Sequence, residues 1–238
     1  MNFSFQYICL LIAIINIKTI DIYMATDGND NSGNGSIEKP YKSLMKCQEI
    51  ANSGDKVIIR GGIYKDFPIS SSDNIYNYIF QFKKSGITYK GKENEKVIFD
   101  FEFNSKYKKY DNKPTKRITA FYIPKKVKDI IFENIECTRV PVLTYDEVSS
   151  LGGKLLTQSE CFRSYGENIV FNRVNAYNNQ GIGFYFLGTN NIAYRCDSYN
   201  NVGFDQASLG NADGFGAHGM GAKFIECRAW DNSDDNYN

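Results

Sequence analysis

The sequence is poor in several residue types, and each shortage narrows the classes of protein to consider. The 238 residues include 1 His, 1 Trp and 5 Pro. The 6 cysteines form no CxxC pair, so zinc ribbons and thioredoxin-like redox motifs are unsupported. Lys and Arg number 28 against 27 Asp and Glu, so the net charge of +1 provides no global field to attract nucleic acid or an anionic membrane. We expect neither as a partner.

The sequence also lacks an apolar segment of membrane-spanning length near its start. The run "YICLLIAII", residues 7–15, is too short to cross a bilayer and has the length of the apolar part of a secretion signal. No Lys or Arg precedes it. The alternative is a buried first strand. We predict a signal peptide over residues 1–20, and therefore an extracellular protein.

Aromatic residues are abundant, and the first third of the chain combines strands with one helix. Tyr and Phe number 17 each, which favours strands over helices. Strands are predicted over Ile22–Thr26 and Val57–Arg60, with a short helix at about Tyr41–Ala51 between them. Because Leu44, Cys47 and Ala51 give that helix one apolar face, we expect it to cap a stack of strands.

Four segments in the second half repeat one pattern: "FENIECTR", "FNRVNAYNN", "YRCDSYNN" and "IECRAWDN". Their alignment puts one set of residues in a first inward column and another set two positions later, on the same strand face. The column spacings are 39, 22 and 31 residues, and about 22 residues suffice for one minimal solenoid coil. The first column is Ile135, Val174, Cys196 and Cys227; the second is Cys137, Ala176, Ser198 and Ala229.

Two further columns support this register. Tyr177, Tyr199 and Trp230 align as an aromatic stack, and the pairs Asn178-Asn179, Asn200-Asn201 and Asp231-Asn232 align at the next corner. Stacked amides can hydrogen-bond along the axis as a ladder. The pattern predicts an all-β domain over residues 21–238, a right-handed parallel β-helix with a short N-terminal capping helix. A β-sandwich is the alternative, but it does not predict aligned columns at coil-sized spacing.

Two of the cysteines, Cys196 and Cys227, occupy the same inward column. They can serve as two small apolar side chains in a narrow core, or they can form a disulfide between adjacent coils. The pattern leaves both alternatives open.

Carboxylates gather near the end of the sequence. Asp213 lies in a glycine-rich run, and Asp234-Asp235 follow one coil later. Because adjacent coils are about 4.8 Å apart, these side chains can converge on one cation. Oxygen ligands without Cys or His point to calcium. The alternative is that all three are turn residues. His218 lies nearby between small residues, and we expect an ordinary surface or ladder histidine.

The segment "NADGFGAH…FIECRAWDNSDDNYN" resembles the calcium-site segment of polysaccharide lyase family 9, the pectate lyases with a parallel β-helix. The N-terminal "YMATDGNDNSGNGSIEKPYKSL" and "GDKVIIRGGIY" resemble the same family, although that segment is shared widely among secreted β-helix proteins. The resemblance covers most of residues 22–238.

This resemblance implies that Asp213, Asp234 and Asp235 are calcium ligands. Asn238 stands where the family has a fourth aspartate, so it supplies an amide oxygen without the charge. The family's catalytic base is a lysine on a later coil, which this chain does not contain. We therefore expect the sequence to be incomplete at its C-terminal end, with no catalytic residue identified.

Two hypotheses of function follow. The first is a secreted, monomeric, calcium-dependent pectate lyase, or the N-terminal part of one, that cleaves polygalacturonate (pectin) by β-elimination. The second is a non-catalytic secreted β-helix that binds polysaccharide or acts at the cell surface.

Overall fold

A computed structural model describes residues 19–101, 117–141, 159–203 and 212–238. The predicted signal peptide lies almost wholly outside these ranges. Within them, the chain consists of strands and one short helix, as the aromatic-rich composition predicts. No helix among the described residues is long and apolar enough to cross a membrane.

The strands form three sheets, which we name A, B and C, and from residue 56 onward the chain passes through them in that order. Sheet A contains β1 (Asp21–Met24), β2 (Lys56–Ile59), β6 (Thr88–Gly91), β9 (Ile131–Glu133), β12 (Val170–Asn172), β15 (Ile192–Tyr194) and β18 (Lys223–Ile225). Sheet B contains β3 (Gly62–Tyr64), β7 (Val97–Asp100), β10 (Glu136–Thr138), β13 (Asn175–Tyr177), β16 (Asp197–Tyr199) and β19 (Arg228–Trp230). Sheet C contains β4 (Ser71–Ser72), β5 (Tyr76–Gln81), β8 (Arg117–Ile123), β11 (Ser159–Ser164), β14 (Gly181–Phe186) and β17 (Phe215–Ala217). Every named strand pair is parallel except β4–β5.

The N-terminal helix α1 (Leu44–Ile50) is shorter than the predicted range because its caps lie inside that range. Ser43 caps its N-terminus by accepting a hydrogen bond from the Lys46 N–H. The predicted apolar face is confirmed, since Leu44, Cys47 and the capping residue Ala51 are buried in the core.

The register predicted from the repeat is confirmed in sheet B. Cys137, Ala176, Ser198 and Ala229 pair in sequence across β10, β13, β16 and β19. The rings of Tyr177, Tyr199 and Trp230 stack with centroid distances of 5.0 and 4.3 Å. In the first inward column three members are buried and Cys227 is partly exposed, because it lies on the last described coil.

The predicted amide ladder at the corner after sheet B is confirmed for one amide per coil. Asn179 donates to the Asn201 amide oxygen at 2.8 Å, and Asn201 donates to that of Asn232 at 2.9 Å. The preceding residue of each pair instead turns the chain, with a φ of 53° to 56°, a conformation that Asn and Asp adopt more readily than most residues. These turn residues are Asn178, Asn200 and Asp231.

The cysteines pair differently from the adjacent-coil disulfide considered above. Cys196 and Cys227 are free, so the small-side-chain alternative is the correct one. Cys137 and Cys161, 24 residues apart, form a disulfide instead. Because these residues lie on β10 of sheet B and β11 of sheet C, the bond crosses the core. A pairing between two sheets does not follow from columns aligned within one sheet.

Aromatic rings fill the core in columns parallel to the axis. Under sheet C, Phe121, Phe162, Phe184 and Phe215 stack with successive centroid distances of 4.7, 5.0 and 4.9 Å. Tyr237 continues this column at 5.3 Å from Phe215, with the two rings nearly parallel. Large aromatic burial dominates core energetics. The column therefore fixes the C-terminal segment beside β17.

Candidate metal centre

Asp213 lies two residues before β17, where the chain enters sheet C. Its backbone oxygen accepts a hydrogen bond from Gly183 at 3.0 Å, which holds it against the previous coil. The residue is only 3% exposed, and its Oδ1 has no hydrogen-bond partner in the described part of the chain. A buried carboxylate oxygen without a partner is costly, so something other than protein is expected to satisfy it.

The C-terminal segment runs beside β17 as its next neighbour. Its backbone accepts hydrogen bonds from Gly214, Phe215 and Ala217 at 3.0, 3.1 and 2.8 Å. The Tyr237 hydroxyl donates to the Cys227 carbonyl oxygen at 2.8 Å. Together with the ring stack on Phe215, these contacts bring residues 234–238 alongside the coil that carries Asp213.

Gly214 allows this close approach. A Cβ at this position would lie 2.8 Å from the Asn236 carbonyl oxygen and 2.7 Å from the Asn232 amide nitrogen. Any larger residue would push the C-terminal segment away from β17. The glycine-rich run around Asp213 is thus a packing requirement of the site.

The structure brings Asp213, Asp234 and Asp235 together. One carboxylate oxygen from each lies within 4.8 Å of the others. Asp213 is buried, Asp234 is partly buried and Asp235 is exposed, so the group opens to solvent on one side. Such an arrangement suits an ion that must be reached from outside.

Asn238, the fourth predicted ligand, also lies at this group. Its Nδ2 is 3.4 Å from the Asp213 Oδ2. Its backbone N–H donates to the Phe215 carbonyl oxygen at 2.9 Å, which fixes the residue beside Gly216. Rotation of the amide would present its oxygen instead of its nitrogen to the carboxylates.

Burial and the neighbouring acids together raise the pKa of Asp213 from 3.8 to about 7. Burial is the largest cause, and the neighbouring Asp234 carboxylate adds repulsion and a hydrogen bond. Without a cation, therefore, the group holds a proton near neutral pH. A bound cation would replace that proton and remove the repulsion.

These residues fit calcium. The described group offers only oxygen ligands, without Cys or His. Calcium binds about six to eight oxygens at roughly 2.3–2.6 Å, in flexible geometries. Three carboxylates and one amide leave coordination positions for water or for a ligand's carboxylate on the open side.

The other charged residues near the tail are not part of this group. Lys223 lies on β18 of sheet A, and Arg228 lies on β19 of sheet B, where it pairs with Asp197 at 2.6 Å. His218 is exposed just after β17, and its ring meets the Tyr185 ring edge to face at 5.4 Å.

Sequence reasoning missed a cluster next to the acids on sheet C. Tyr185 of β14 lies beside β17, and the Arg163 guanidinium of β11 lies 5.6 Å from its ring centroid. The Glu160 carboxylate pairs with Arg163 at 2.6 Å and is fully buried, which raises its pKa. The only sequence signal for this cluster was the alternation of aromatic residues in "GIGFYFLG". The repeat alignment did not include that segment, so it gave no register for sheet C.

Comparison with known proteins gives a consistent picture. A family model described as "Pel9A-like, right handed beta helix region" matches residues 22–238. Pectate lyase L of Dickeya dadantii (strain 3937) and that of Dickeya chrysanthemi are each 26% identical over 226 residues, 93% of this chain and 47% of the relative. The chain thus spans about half the length of the curated relatives it matches.

Two solved structures share the fold. A rhamnogalacturonan lyase is 31% identical with a TM-score of 0.76, over 92% of this chain and 53% of the other. Pectate lyase Pel9A is 24% identical with a TM-score of 0.69, over 94% of this chain and 51% of the other.

Proposed function

The chain belongs to the Pel9A-like right-handed β-helix family, and on that premise we propose that it binds calcium and an acidic pectic polysaccharide as part of a polysaccharide lyase. The reaction class is β-elimination. The proposed substrates are polygalacturonate and, from the rhamnogalacturonan lyase among the similar structures, rhamnogalacturonan.

One observation carries the proposal: three carboxylates lie within 4.8 Å of one another, and the buried one has an oxygen without a partner. A structural cluster of acids would be expected to be paired with Lys or Arg, as Glu160 is with Arg163. Here the described neighbours of Asp213 that shift its pKa are two more acids and an amide. A cation is the partner that this arrangement favours.

The four ligand residues have distinct proposed roles. Asp213 anchors the ion from the buried side, and Asp234 and Asp235 hold it from the next coil. Asn238 contributes an amide oxygen, so the site has one negative charge fewer than with four acids. The solvent-exposed side receives the uronate carboxylate.

Bound calcium would stabilise the negative charge that develops on the uronate carboxylate when the neighbouring carbon loses its proton. The protein's own part is to orient that sugar over sheet C. The base that takes the proton is not assigned to a residue of this chain, because Lys223, the lysine nearest in sequence to the acids, lies on sheet A. We therefore propose binding with little turnover for these 238 residues.

Secretion is part of the proposal. The Cys137–Cys161 disulfide suits an oxidising environment, and the apolar run at residues 7–15 suits a secretion signal. N-terminal sequencing of protein recovered from culture medium tests it, and we expect cleavage near residue 20.

The test of function uses the full chain with polygalacturonate and rhamnogalacturonan, in calcium and in EGTA. Calorimetry reports binding, and absorbance of the 4,5-unsaturated sugar reports elimination. We expect calcium-dependent binding of at least one polysaccharide, lost in Asp234→Ala. Asp129→Asn is the control, because Asp129 is an exposed acid with a φ of 57°, which Asn tolerates.

Binding without product is expected of these 238 residues both as part of a lyase and under the non-catalytic alternative. Binding that is the same in EGTA, or in Asp234→Ala, would refute the role given to calcium. Absence of binding to both polysaccharides would refute the proposed function.

A further inference from the structure

A column of outward-facing residues on sheet C leads away from the acids, one residue per coil. The strand register pairs these residues in sequence across β17, β14, β11, β8 and β5. Neighbouring strands are about 4.8 Å apart, so the column runs along the axis of the β-helix. Its members, starting at the acids, are Gly216, Tyr185, Arg163, Tyr122 and Gln81.

The first ring of the column adjoins the acidic group. A Cβ at Gly216 would lie 3.1 Å from Tyr185 Cδ2 and 3.3 Å from Asp213 Oδ2. The Tyr185 ring and the Asp213 carboxylate are therefore neighbours, and a side chain at Gly216 would crowd both. Tyr185 is also the one residue of β14 that is not buried.

The next residue of the column, Arg163, is held rigidly behind Tyr185. Its guanidinium donates to Glu160 at 2.6 Å and to the Tyr165 hydroxyl at 2.7 Å. It also lies 5.2 Å from the Tyr165 ring centroid and 4.3 Å from that of Tyr76. Because Glu160 balances its charge, Arg163 supports the surrounding rings and is not a free cation for the ligand.

The aromatic surface continues beyond Arg163. Tyr122 stacks on Tyr78 with centroids 4.0 Å apart, and Tyr165 meets Tyr122 edge to face at 6.3 Å. The exposed His218 ring also contacts Tyr185, edge to face. Rings with hydroxyl groups at one end combine an apolar face with a hydrogen-bonding edge.

We propose that the partly exposed Tyr185 ring, adjacent to the carboxylates of Asp213, Asp234 and Asp235, is a saccharide-binding subsite. This inference rests on the proposed function. A pyranose ring packs its C–H face on Tyr185, and its hydroxyl groups reach the phenol and the His218 imidazole. The uronate next along the backbone then reaches the acid-bound ion.

Continuity with the acids identifies the occupant. An apolar peptide would leave the neighbouring carboxylates unpartnered, whereas a uronate chain brings a carboxylate for the cation and sugar faces for the rings. Pockets that combine aromatic walls with a few convergent polar groups are typical of small-ligand sites. Tyr185 thus acts as a positioning residue that sets which sugar sits over the ion.

The experiment compares Tyr185→Ala, Tyr185→Phe and Tyr194→Ala in the full chain. Tyr194 is a matched control, because it is also a partly exposed tyrosine with an arginine over its ring, Arg195 at 4.8 Å, but it lies on sheet A. Calorimetry measures affinity for polygalacturonate and rhamnogalacturonan oligosaccharides in calcium. Calcium alone is titrated in parallel.

We expect Tyr185→Ala to weaken oligosaccharide binding about tenfold, the loss of one aromatic contact, while calcium affinity is unchanged. Tyr185→Phe keeps the ring and should lose about threefold or less. Tyr194→Ala should bind as wild type does.

The possible failures are distinguishable. Wild-type binding that persists in Tyr185→Ala, or an equal loss in Tyr194→Ala, overturns the subsite and leaves the proposed function standing. Failure of the wild type to bind either oligosaccharide overturns both. Loss of calcium affinity in Tyr185→Ala would show that the ring supports the acids instead of the sugar, and would also overturn the subsite.

Discussion

Replacement of Asp213 by Asn should stabilise the protein without calcium and abolish its stabilisation by calcium. The folded protein raises the pKa of Asp213 from 3.8 to about 7, so ionisation of this group opposes folding. The full shift corresponds to roughly 4 kcal/mol, and we discount it to about 2 kcal/mol because the neighbouring acids are open to solvent.

The pH dependence has a definite sign. A carboxyl whose pKa is higher in the folded state has its most favourable effect below the unfolded value, near pH 4, and loses it as pH rises toward 7. Without calcium, wild type and Asp213→Asn should therefore have similar stability at pH 4. At pH 8 the variant should be more stable by about 2 kcal/mol.

Calcium should reverse that order. At a free concentration of about 100 times the dissociation constant, a ligand of the folded state adds roughly 2.7 kcal/mol, or about 5–10 °C in Tm for a chain of this size. Asp213→Asn should lose most of this gain, and the control Asp129→Asn should keep it.

Urea unfolding gives the free energy of unfolding under four conditions: pH 4 and pH 8, each in EGTA and in calcium. Lower stability of Asp213→Asn than of wild type in EGTA at pH 8, together with an intact gain from calcium, would contradict this prediction. That result would make Asp213 a turn residue stabilised by protein contacts.

Three further predictions concern the ligand set and the framework. Asn238→Asp adds a fourth carboxylate and should tighten calcium binding about fivefold or more by calorimetry; weaker binding would mean that repulsion among the acids outweighs the gain. Cys161→Ser removes the disulfide to Cys137 and should lower the free energy of unfolding in urea by about 3 kcal/mol. Cys196→Ser, which changes a free cysteine, is the background variant and is compared under reducing conditions. An unchanged unfolding midpoint of Cys161→Ser under oxidising conditions would contradict this. Asn201→Ala removes a fully buried amide of the ladder and should lower the free energy of unfolding by about 2–3 kcal/mol. Asn200→Gly, at a φ of 53°, should leave it nearly unchanged. Equal losses in the two variants would show that the ladder contributes nothing specific.

Sheet B could be predicted from the sequence because its corners have constant length. From Val174 to Asn179, and from Cys196 to Asn201, inward residues, an aromatic and an Asn pair recur at fixed offsets. Because the offset is constant, residues that align in the sequence repeat also lie in one column of the structure. The inward columns and the amide ladder could therefore be predicted.

Sheet C resisted the same reasoning, since the segments that lead into its strands differ in length. Cys161 and Tyr185 could not be assigned to a column, so neither the Cys137–Cys161 disulfide nor the ring beside Asp213 was foreseen. For the acids, spacing brought Asp213 and Asp234 within one coil of each other. Burial of Asp213 and its unpartnered oxygen depend on packing by Tyr237, which spacing alone does not contain.

We propose that the three acids hold a calcium ion that in turn holds a sugar carboxylate. Anomalous scattering from crystals grown with calcium and a galacturonate oligosaccharide would locate the ion and the sugar together. We expect a calcium peak bounded by Asp213, Asp234 and Asp235, with a uronate carboxylate on its open side and a sugar ring over Tyr185. An ordered oligosaccharide elsewhere on the molecule, with no calcium peak between these acids, would contradict it.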